Sequence, residues 1–501
     1  MGERESVLLG FDVGTSAVKA AAFELDGTIA GVASRPVELD TPADGICEVD
    51  PRDYWSGLAG CCADLAEAGV ELGRVGGLAV AAHAETLLVV DAHLRPVRPA
   101  IVWLDTRSQR EAGELARRFG ADELAARSGQ PQVIPMWPAT KMLWLRRHEP
   151  EVVAAARWWL QPLDYLQARL TGRVASDASE YSSSLLLDVH SRGWWRPMLD
   201  ELGVDESALP ELVPAGAPLG PLRGEAAAEL GLRPGTTVVA GGFDQACTAV
   251  GAGNVRDHVA SVSTGSSLAC HATVAAPPRD DRTVPCHVHV VPGKWFLCAH
   301  NPAGGAVLAW VRERFAPGRS FAQLDALAEP IAPGAEELVL LPYLSGSVTP
   351  ELDPSARGVL FGLSPRHGLP QLARAALEGV AFALADLLDA ARRVGVEPGE
   401  LRSVGGGARS ALWTQIKADV TGLPLHVPAA ADHAGALGAA VLAGVGAGVF
   451  ASVEAGADAL VRIARTVEPR ADARVAYERP RAVYRELYPR LRDLFPREED
   501  G

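Results

Sequence analysis

Residues 238–253 read VVAGGFDQACTAVGAG, an apolar run that two glycines interrupt just before an acid. Residues 238–240 predict the end of a buried strand, Gly241 and Gly242 break it, and Asp244 follows at the start of the next element. An acid in that position lies where α/β sheets bind ligands, beyond the carboxyl ends of the strands, and glycines allow a ligand to approach closely. Asp244 is therefore a candidate to take a proton from a substrate hydroxyl. The alternative is a glycine-rich turn whose Asp244 caps the following helix.

Length and composition are those of a large, acidic, globular protein. The chain has 501 residues, which is too long for one hydrophobic core, and length alone predicts about three domains. The hydrophobic fraction of 48% and the charged fraction of 22% are typical of soluble globular proteins. The formal net charge of -15 argues against nucleic acid and anionic membranes as the main partners. A polyanion such as ATP would then need local donors and a divalent cation.

Cysteine usage and hydropathy predict the compartment. The seven cysteines form no Cys-x-x-Cys pair and no dense disulfide pattern, which is typical of a reducing environment. The first residues, MGERESVLLGFD, lack the apolar stretch of a signal peptide, and no run reaches transmembrane length. We therefore expect a cytoplasmic protein.

A turn near the start of the chain is the next candidate site. It lies between a strand predicted at residues 7–10 and a second strand predicted at residues 18–25, after which Asp26-Gly27 predicts a hairpin turn. The turn region offers an acid, a glycine, two hydroxyls and a nearby lysine, namely Asp12, Gly14, Thr15, Ser16 and Lys19. Backbone N–H groups, hydroxyls and the lysine could together hold a phosphate. The alternative is an ordinary β-turn with solvated side chains.

Polar or aromatic residues also mark two further apolar runs in the first half. Residues 78–90 are strand-like but are interrupted by a segment that contains His83 and Glu85, and the strand predicted at residues 100–104 contains Trp103. Such groups at neighbouring strand ends suggest the wall of a pocket. Solvated His and Glu side chains and a core Trp are the alternatives.

The pattern of the first half begins again after residue 253. Residues 259–262 and 268–274 predict two strands around a polar turn that contains Thr264 and Gly265. This unit echoes the hairpin at residues 12–25, as is expected of a duplicated domain.

Glycines mark two further junctions in the second half. Gly304-Gly305 lead into a predicted helix around Trp310. A second run lies between a strand and a helix predicted at residues 411–421, and it consists of Gly405, Gly406, Gly407 and Ala408. Glycines at such a junction let a flat ring or a sugar approach, and a helix N-terminus favours anions. A long amphipathic helix is predicted at residues 369–392.

Cys286, His287, His289 and His300 raise the question of a metal site. His287 and His289 alternate along a predicted strand, and no fourth ligand has zinc-finger spacing. The structural interpretation of these residues is therefore favoured.

Taken together, the motifs resemble the FGGY family of carbohydrate kinases, in the actin-like ATPase superfamily, over nearly the whole chain. FDVGTS around Asp12 is similar to the first phosphate motif of the family, STGSS from Ser263 to the second, and GGGARSALW from Gly405 to the adenosine motif. Residues 136–148 and 358–378 are similar to the two family signatures, and the motifs occur in the family's order.

This resemblance implies an α/β fold of two actin-like (ribonuclease H-like) domains, each a mixed β-sheet flanked by helices, which close over a central cleft. Residues 1–250 would form the N-terminal domain with the sugar and the catalytic Asp. Residues 251–501 would form the C-terminal domain with the nucleotide.

The resemblance also implies ATP and Mg²⁺ as cofactors and a role for each candidate residue. Asp244 would be the catalytic base, and Asp12 would hold Mg²⁺ through water, which suits phosphoryl transfer. Nucleotide contacts are expected from Gly14, Thr15, Ser16, Lys19, Thr264, Gly265, Gly304, Gly305, Gly405, Gly406, Gly407 and Ala408. Sugar contacts are expected from His83, Glu85, Trp103, Asp244 and Gln245.

The motifs that concern the substrate resemble those of two different kinases of the family. LPYLSG at residues 341–346 looks like the xylulose kinases of the family, but their Gln-Met-His-Gly motif is not intact, since residues 81–86 read AAHAET. Glu85 and Thr86 match the Arg-Glu-Thr of glycerol kinases, with Ala84 in place of the arginine. A ketopentose such as xylulose is the expected substrate, and glycerol or another polyol is the alternative.

A different class of function is also open, an actin-like ATP-binding module that hydrolyses or senses ATP without a sugar. Such a module has no need of Glu85, Trp103 and Gln245 beside Asp244. The expected partners are therefore ATP and a small sugar or polyol, without nucleic acid or membrane. A homodimer is kept open as the assembly.

Overall fold

The computed structural model of the protein describes residues 7–278 and 284–495. The beginning of the chain, quoted above for its lack of a signal peptide, lies partly outside these residues, as do residues 279–283 and the acidic end of the chain.

Strands occur throughout the described ranges, and several consist of only two or three residues. In chain order they are β1 (Val7–Val13), β2 (Ala17–Glu24), β3 (Ile29–Pro36), β4 (Glu48–Val49), β5 (Val75–Ala82), β6 (Leu88–Val90), β7 (Ala100–Ile101), β8 (Trp158–Leu160), β9 (Ala175–Ser176), β10 (Leu187–Asp188), β11 (Gly193–Trp194), β12 (Glu211–Leu212), β13 (Pro218–Pro221), β14 (Thr237–Phe243), β15 (Val259–Thr264), β16 (Leu268–Val274), β17 (Cys286–Val288), β18 (Trp295–Asn301), β19 (Val339–Leu341), β20 (Val359–Phe361), β21 (Glu400–Val404), β22 (Leu425–Pro428) and β23 (Ile463–Val467).

Helices alternate with these strands. In chain order they are α1 (Pro51–Glu67), α2 (Gln109–Phe119), α3 (Ala121–Ser128), α4 (Pro138–His148), α5 (Pro150–Ala155), α6 (Pro162–Thr171), α7 (Ala178–Tyr181), α8 (Arg196–Leu202), α9 (Gly224–Leu230), α10 (Asp244–Gly251), α11 (Gly305–Phe315), α12 (Phe321–Ala328), α13 (Leu369–Arg393), α14 (Ala411–Thr421), α15 (Ala434–Gly446), α16 (Val453–Leu460) and α17 (Ala471–Leu491).

The first of two compact units combines Met1–Val255, Val274–Phe296 and His433–Arg462. Its main sheet has the strand order β13-β14-β5-β1-β2-β3. The strand β1 is antiparallel to β2 and parallel to β5, and β14 is also parallel to β5. The sequence of β1, VLLGFDV, is almost wholly apolar, as is typical of a strand that is covered on both faces. Asp12 is the one residue of β1 that is not fully buried. The parallel strands β1, β5 and β14 bring their carboxyl ends to the same edge of the sheet.

Helix α15 crosses this sheet at backbone contact distance. A Cβ atom on Gly10 of β1 would lie 1.8 Å from the carbonyl oxygen of Ala436, and one on Gly438 would lie 1.9 Å from the carbonyl oxygen of Cys247 in α10. A Cβ atom on Gly251 of α10 would lie 1.9 Å from the carbonyl oxygen of Ala434. Such distances are far inside van der Waals contact, so these positions accept glycine alone unless the backbone moves.

The second unit combines Arg256–Thr273, Leu297–Asp432 and Ile463–Gly501. Its strands lie in the order β18-β16-β15-β21-β22-β23. The long helix α13 is buried along most of its length and packs against α14, as its amphipathic sequence predicts. Both units are therefore discontinuous in sequence.

The predicted repeat of one hairpin in the two halves is confirmed. In the first unit β1 pairs with β2 antiparallel and with β5 parallel, and in the second unit β15 pairs with β16 antiparallel and with β21 parallel. The two units thus share a sheet core of the same pairing pattern.

Several predicted strand ends were wrong, and three of them bear on the candidate site. The strand predicted at residues 100–104 ends at Ile101, so Trp103 lies beyond it. The first strand continues to Val13, so Asp12 lies in the strand and not in the turn. The strand β14 continues through Gly241 and Gly242, which do not end it but lie where its register with β5 shifts. The glycines are needed for packing, because a Cβ atom on Gly241 would lie 1.7 Å from the carbonyl oxygen of Val80.

Two findings concern the cysteines and the helices. All seven cysteines are unpaired. Within the described ranges, every helix falls short of the combination of length and apolar character that crossing a bilayer requires.

We expect Gly438→Ala to destabilise the protein, because the added methyl group meets the α10 backbone and overpacking of this kind costs about 1–3 kcal/mol. The matched control is Gly113→Ala in the exposed part of α2, where a Cβ atom meets nothing within 4 Å. That change should raise the free energy of unfolding by roughly 0.5–1 kcal/mol, since alanine favours the helix. Chemical denaturation of both variants measures the difference, and a Gly438→Ala protein as stable as the parent would contradict the packing described.

Candidate active site

Asp244 is the first residue of α10, directly after the end of β14. Its Oδ1 atom is buried and has no hydrogen-bond partner among the described residues. The N-cap of α10 is Phe243, and no side chain caps the helix, so the capping alternative is wrong. An acid at the end of a parallel strand with an unpartnered oxygen is a feature that a ligand, and not the fold, would satisfy.

Electrostatics distinguish Asp244 from an ordinary aspartate. Burial raises the pKa of Asp244 well above its usual value, and the neighbouring carboxylates of Asp12 and Glu85 raise it further. Hydrogen bonds from Gln245 oppose this shift. Asp12 and Glu85 therefore lie close enough to Asp244 to disfavour its charged form.

Asp12 faces Lys19 across the β1–β2 hairpin. The two residues are paired in register, and Lys19 Nζ lies 3.5 Å from Asp12 Oδ2. On its other side Asp12 meets the first turn of α15, where a Cβ atom on Gly435 would lie 2.8 Å from Asp12 Cγ. The glycine thus makes room for the carboxylate beside the helix N-terminus, a favourable place for an anion.

Glu85 is held by hydrogen bonds along both its side chain and its backbone. Ser183 Oγ donates to Glu85 Oε1, and the Glu85 N–H donates to Gln161 Oε1, both at 2.5 Å. The buried Lys141 Nζ donates to the Glu85 carbonyl oxygen at 2.7 Å. Burial raises the pKa of Glu85 and lowers that of Lys141, and the attraction between the two groups opposes both shifts. The backbone of Glu85 also has a positive φ of 67°, which these contacts maintain.

His83 uses both ring nitrogens within the protein. Nδ1 lies 3.1 Å from the Val13 carbonyl oxygen, and Nε2 lies 3.0 Å from Thr86 Oγ1. Burial lowers the pKa of His83 to about 4, so the ring is neutral at physiological pH. The imidazole therefore links the ends of β1 and β5.

From the sequence, we expected Trp103 to contact the sugar and Thr15 to contact the nucleotide. The structure brings these two side chains together. Trp103 Nε1 donates to Thr15 Oγ1 at 2.7 Å, and the Trp103 N–H donates to Thr86 Oγ1 at 3.3 Å. In the turn between β1 and β2, the Gly14 N–H donates to the Ala17 carbonyl oxygen, while Ser16 is exposed. The predicted phosphate turn and the predicted pocket wall are thus adjacent.

Sequence reasoning missed the segment that anchors both acids, residues 177–184, which read DASEYSSS. Ser179 Oγ accepts the N–H of Phe243 at 3.0 Å, next to Asp244, and Ser183 contacts Glu85 as described. Gln161 Nε2 donates to the Glu180 carbonyl oxygen at 2.9 Å. The available signal was local: Asp177 caps the short helix α7 through the N–H of Ser179, a common Asp-x-Ser arrangement.

In the second unit, the predicted nucleotide residues form one continuous group. A Cβ atom on Gly407 would lie 2.7 Å from Thr264 Cβ, and Gly405, with a φ of 77°, lies against the Thr264 backbone. The Ala408 N–H donates to the Gly405 carbonyl oxygen at 3.0 Å. The strand end at Thr264 and the glycine run therefore meet.

The β15–β16 turn joins this group to the start of α11. The Gly305 N–H donates to the Gly265 carbonyl oxygen at 2.8 Å, and a Cβ atom on Gly304 would lie 2.2 Å from Ser267 C. At Gly265 and Gly406, by contrast, a Cβ atom would meet nothing within 4 Å. These two glycines border open space that a ligand could fill.

Two members of the Cys/His group, His287 and His289, pack against the ring of Phe296. His287 stacks on Phe296 with ring centroids 5.2 Å apart, and its Nδ1 lies 3.3 Å from Ser182 Oγ. Within the described ranges, no three or more His, Cys, Asp or Glu side chains are arranged to hold a metal ion by themselves.

Two mixed sheets of the same pairing pattern, with an unpartnered acid in one unit and a glycine-lined group in the other, are the features expected of a phosphotransferase of the actin-like class. Residues 7–251 match the N-terminal domain, and residues 260–447 the C-terminal domain, of the FGGY family of carbohydrate kinases. The chain belongs to this family.

Full-length relatives and solved structures agree with the family. The chain is 33% identical to the xylulose kinase of Escherichia coli (strain K12), over 97% of this chain and 99% of the relative. A xylulose kinase structure from Brucella ovis is 33% identical and covers 97% of this chain and 100% of its own, with a TM-score of 0.89. One from Rhodospirillum rubrum is 30% identical, covers 98% and 100%, and has a TM-score of 0.89.

The predictions of family, fold class and enzyme class are thereby confirmed. The protein is a carbohydrate kinase, for which ATP is the phosphoryl donor and a sugar the acceptor. The alternative of an ATP-binding module without a sugar substrate is set aside.

We expect Ser179→Ala to lower the free energy of unfolding by about 1–3 kcal/mol, because it leaves the buried N–H of Phe243 without its acceptor. Ser56→Ala on the exposed face of α1 is the control, and its effect should stay within about 0.5 kcal/mol. Urea denaturation followed by tryptophan fluorescence compares the two. Equal stability of the two variants would show that Ser179 does not anchor the strand end before Asp244.

Proposed function

We propose that the protein transfers the γ-phosphoryl group of ATP to a hydroxyl of a ketopentose, with xylulose as the preferred acceptor. The observation that carries the chemistry is the buried, unpartnered Oδ1 of Asp244 beside Glu85. The choice of sugar is supported by the xylulose kinases that match the chain over nearly its whole length.

Asp244 is the general base in this proposal. Its Oδ1 accepts the proton as the substrate O–H bond breaks, the oxygen forms the new bond to the γ-phosphorus, and ADP leaves with the electrons of the broken P–O bond. A carboxylate whose charged form is destabilised by burial is a stronger proton acceptor than an exposed one. Proton transfer is then favourable at the moment when the hydroxyl attacks.

Mg²⁺ is proposed at Asp12. The residues fit such an ion, because Asp12 and Glu85 both add negative charge beside Asp244, and among the described residues Lys19 is the cation paired with Asp12. A single carboxylate suffices, since Mg²⁺ keeps several waters and takes further oxygens from phosphates. When bound, the ion neutralises phosphate charge during transfer. Lys19, with a half-exposed side chain, remains able to turn towards an anion.

Glu85, Gln245 and Trp103 are proposed to contact the sugar. Glu85 is positioned by Ser183, Gln161 and Lys141, so its carboxylate presents acceptors for hydroxyl donors. From the sequence, we expected His83 to contact the sugar. We propose a positioning role for it instead, because both of its ring nitrogens already have partners.

Nucleotide contacts are proposed in each unit by itself. Thr15 accepts from Trp103, which leaves its own O–H to donate to a phosphate oxygen, and Gly14 and Ser16 complete that turn. In the second unit the open positions at Gly265 and Gly406 would admit the nucleotide, with Gly304, Gly305, Gly405, Gly407 and Ala408 around them. The division into a sugar-side domain at residues 1–250 and a nucleotide-side domain at residues 251–501, the homodimer and the cytoplasmic location stay predictions.

A panel of acceptors tests this proposal. With ATP and Mg²⁺, we expect kcat/KM for D-xylulose to exceed that for D-ribulose, glycerol and gluconate by at least about tenfold, the discrimination that a few pocket contacts provide. A coupled assay of ADP formation, with an ATP-only control, measures it. Comparable or faster turnover of glycerol would overturn the ketopentose assignment, and no sugar-dependent ADP formation with any acceptor would overturn the proposed chemistry.

A further inference from the structure

Lys417 on α14 is a fully buried cation without an acidic partner among the described residues. Its side chain is inaccessible to solvent, and its Nζ donates to Thr264 Oγ1 at 2.7 Å. Nζ also lies 4.3 Å from the ring centroid of Trp413, one turn earlier on the same helix. A hydroxyl oxygen and an aromatic face are weak compensation for a buried ammonium group.

The charged and titratable groups on the elements packed around α14 are engaged elsewhere. Arg374 and Glu378 of α13 pair with each other and with Tyr477 of α17, and Asp419 of α14 pairs with Arg470. Arg465 of β23 donates to the Ala408 carbonyl oxygen, and His426 of β22 pairs with Glu400. Strand β15 contributes Thr264 and no titratable side chain.

Burial alone therefore sets the protonation of Lys417. It lowers the pKa of Lys417 from 10.5 to about 7, with no neighbouring charge to oppose the shift. Burial thus brings the proton exchange of Lys417 down towards neutral pH.

The direction of the hydrogen bond gives Lys417 a role. An ammonium group has only donors, so Thr264 Oγ1 must be the acceptor, and the Thr264 O–H is left to donate elsewhere. Thr264 lies against Gly405 and Gly407 and directly precedes Gly265, whose missing Cβ borders open space. Thr264 is itself almost fully buried, at 1% exposed. A phosphate bound against Gly265 would accept a hydrogen bond from the Thr264 hydroxyl and would supply the negative charge that Lys417 lacks.

We propose that Lys417 is a positioning residue that couples nucleotide binding to proton uptake: its ammonium group directs the Thr264 hydroxyl towards a phosphate oxygen, whose charge in turn keeps Lys417 protonated. This inference rests on the proposed function, in that Thr264 and the neighbouring glycines receive the nucleotide. Lys417 is buried and lies outside the recognised motifs. Under this proposal it controls how the affinity for the nucleotide depends on pH.

The sign of the coupling follows from the lowered pKa. Below pH 7 Lys417 is already charged, and nucleotide binding needs no proton. Above pH 7 the free protein has lost that proton and must regain it on binding, so affinity falls as pH rises, approaching tenfold per unit for one linked proton. Phosphate groups, with a last pKa of about 6, are almost fully ionised between pH 8 and pH 9 and do not contribute there.

Calorimetric titration of the full chain with Mg²⁺ and ADP tests this coupling. Between pH 8 and pH 9, in buffers of different ionisation enthalpy, we expect the wild-type Kd to weaken approaching tenfold and up to one proton to be taken up per ADP. Lys417→Met should bind about tenfold more weakly at pH 7, as expected for one lost hydrogen bond from a charged donor, and should lose the proton uptake. Lys417→Gln keeps a donor for Thr264 without the charge, so it should also lose the proton uptake.

The outcomes separate this inference from the proposed function. Wild-type binding without pH dependence between pH 8 and pH 9, or Lys417 variants that take up protons as the wild type does, would overturn the role of Lys417 while the kinase proposal stands. Wild-type protein that binds no nucleotide would overturn both. Weaker binding with an unchanged pH profile would show a merely structural role. Melting temperatures check the fold, and Lys417→Met should be at least as stable as the parent, because it removes a buried charge.

Discussion

Close backbone contact between helix α15 and the central sheet of the first unit is the constraint on which the candidate site depends. Gly10, Gly251 and Gly438 each take a place where a side chain would collide with a neighbouring carbonyl. The contact brings α15 against both the strand that carries Asp12 and the helix that begins with Asp244. Glycines are therefore needed at these contacts, because a shift of α15 would move both Asp12 and Asp244.

The same packing forces carboxylates into a buried region, which stability alone would not favour. The carboxylates of Asp12 and Glu85 raise the pKa of Asp244, and Glu180 nearby is fully buried, with neither carboxylate oxygen hydrogen-bonded within the described residues. Burial raises the pKa of Glu180 well above its usual value, and negative neighbours raise it further. A kinase can use such repulsion, because a sugar hydroxyl, a phosphate-bound cation or a proton relieves it. The fold is thus less stable than it could be around the candidate site.

Much of this arrangement could be predicted from the sequence, and the failures have physical causes. The helices at residues 369–392 and 411–421, the repeated hairpin and the fold class followed from periodicity, turn chemistry and the motifs. The roles of Gly241 and Gly242 did not, because contacts with the distant Val80 and Val290 require them, and local pattern carries no record of such contacts. The segment of residues 177–184 was missed for the same reason: its hydroxyls act through strands that lie far away in the chain.

The most direct test of the central claim compares wild type with Asp244→Asn, which keeps the shape of the side chain and removes its basic oxygen. We predict that Asp244→Asn binds Mg²⁺ and ADP within about twofold of wild type, a difference of less than 0.5 kcal/mol. Its D-xylulose-dependent turnover should fall by about 10²–10⁴-fold, the usual contribution of a general base. Rapid-quench measurement of the phosphorylated sugar gives the chemical step itself. A variant that phosphorylates D-xylulose at near wild-type rate would contradict the account, because the buried carboxylate would then have no part in the reaction.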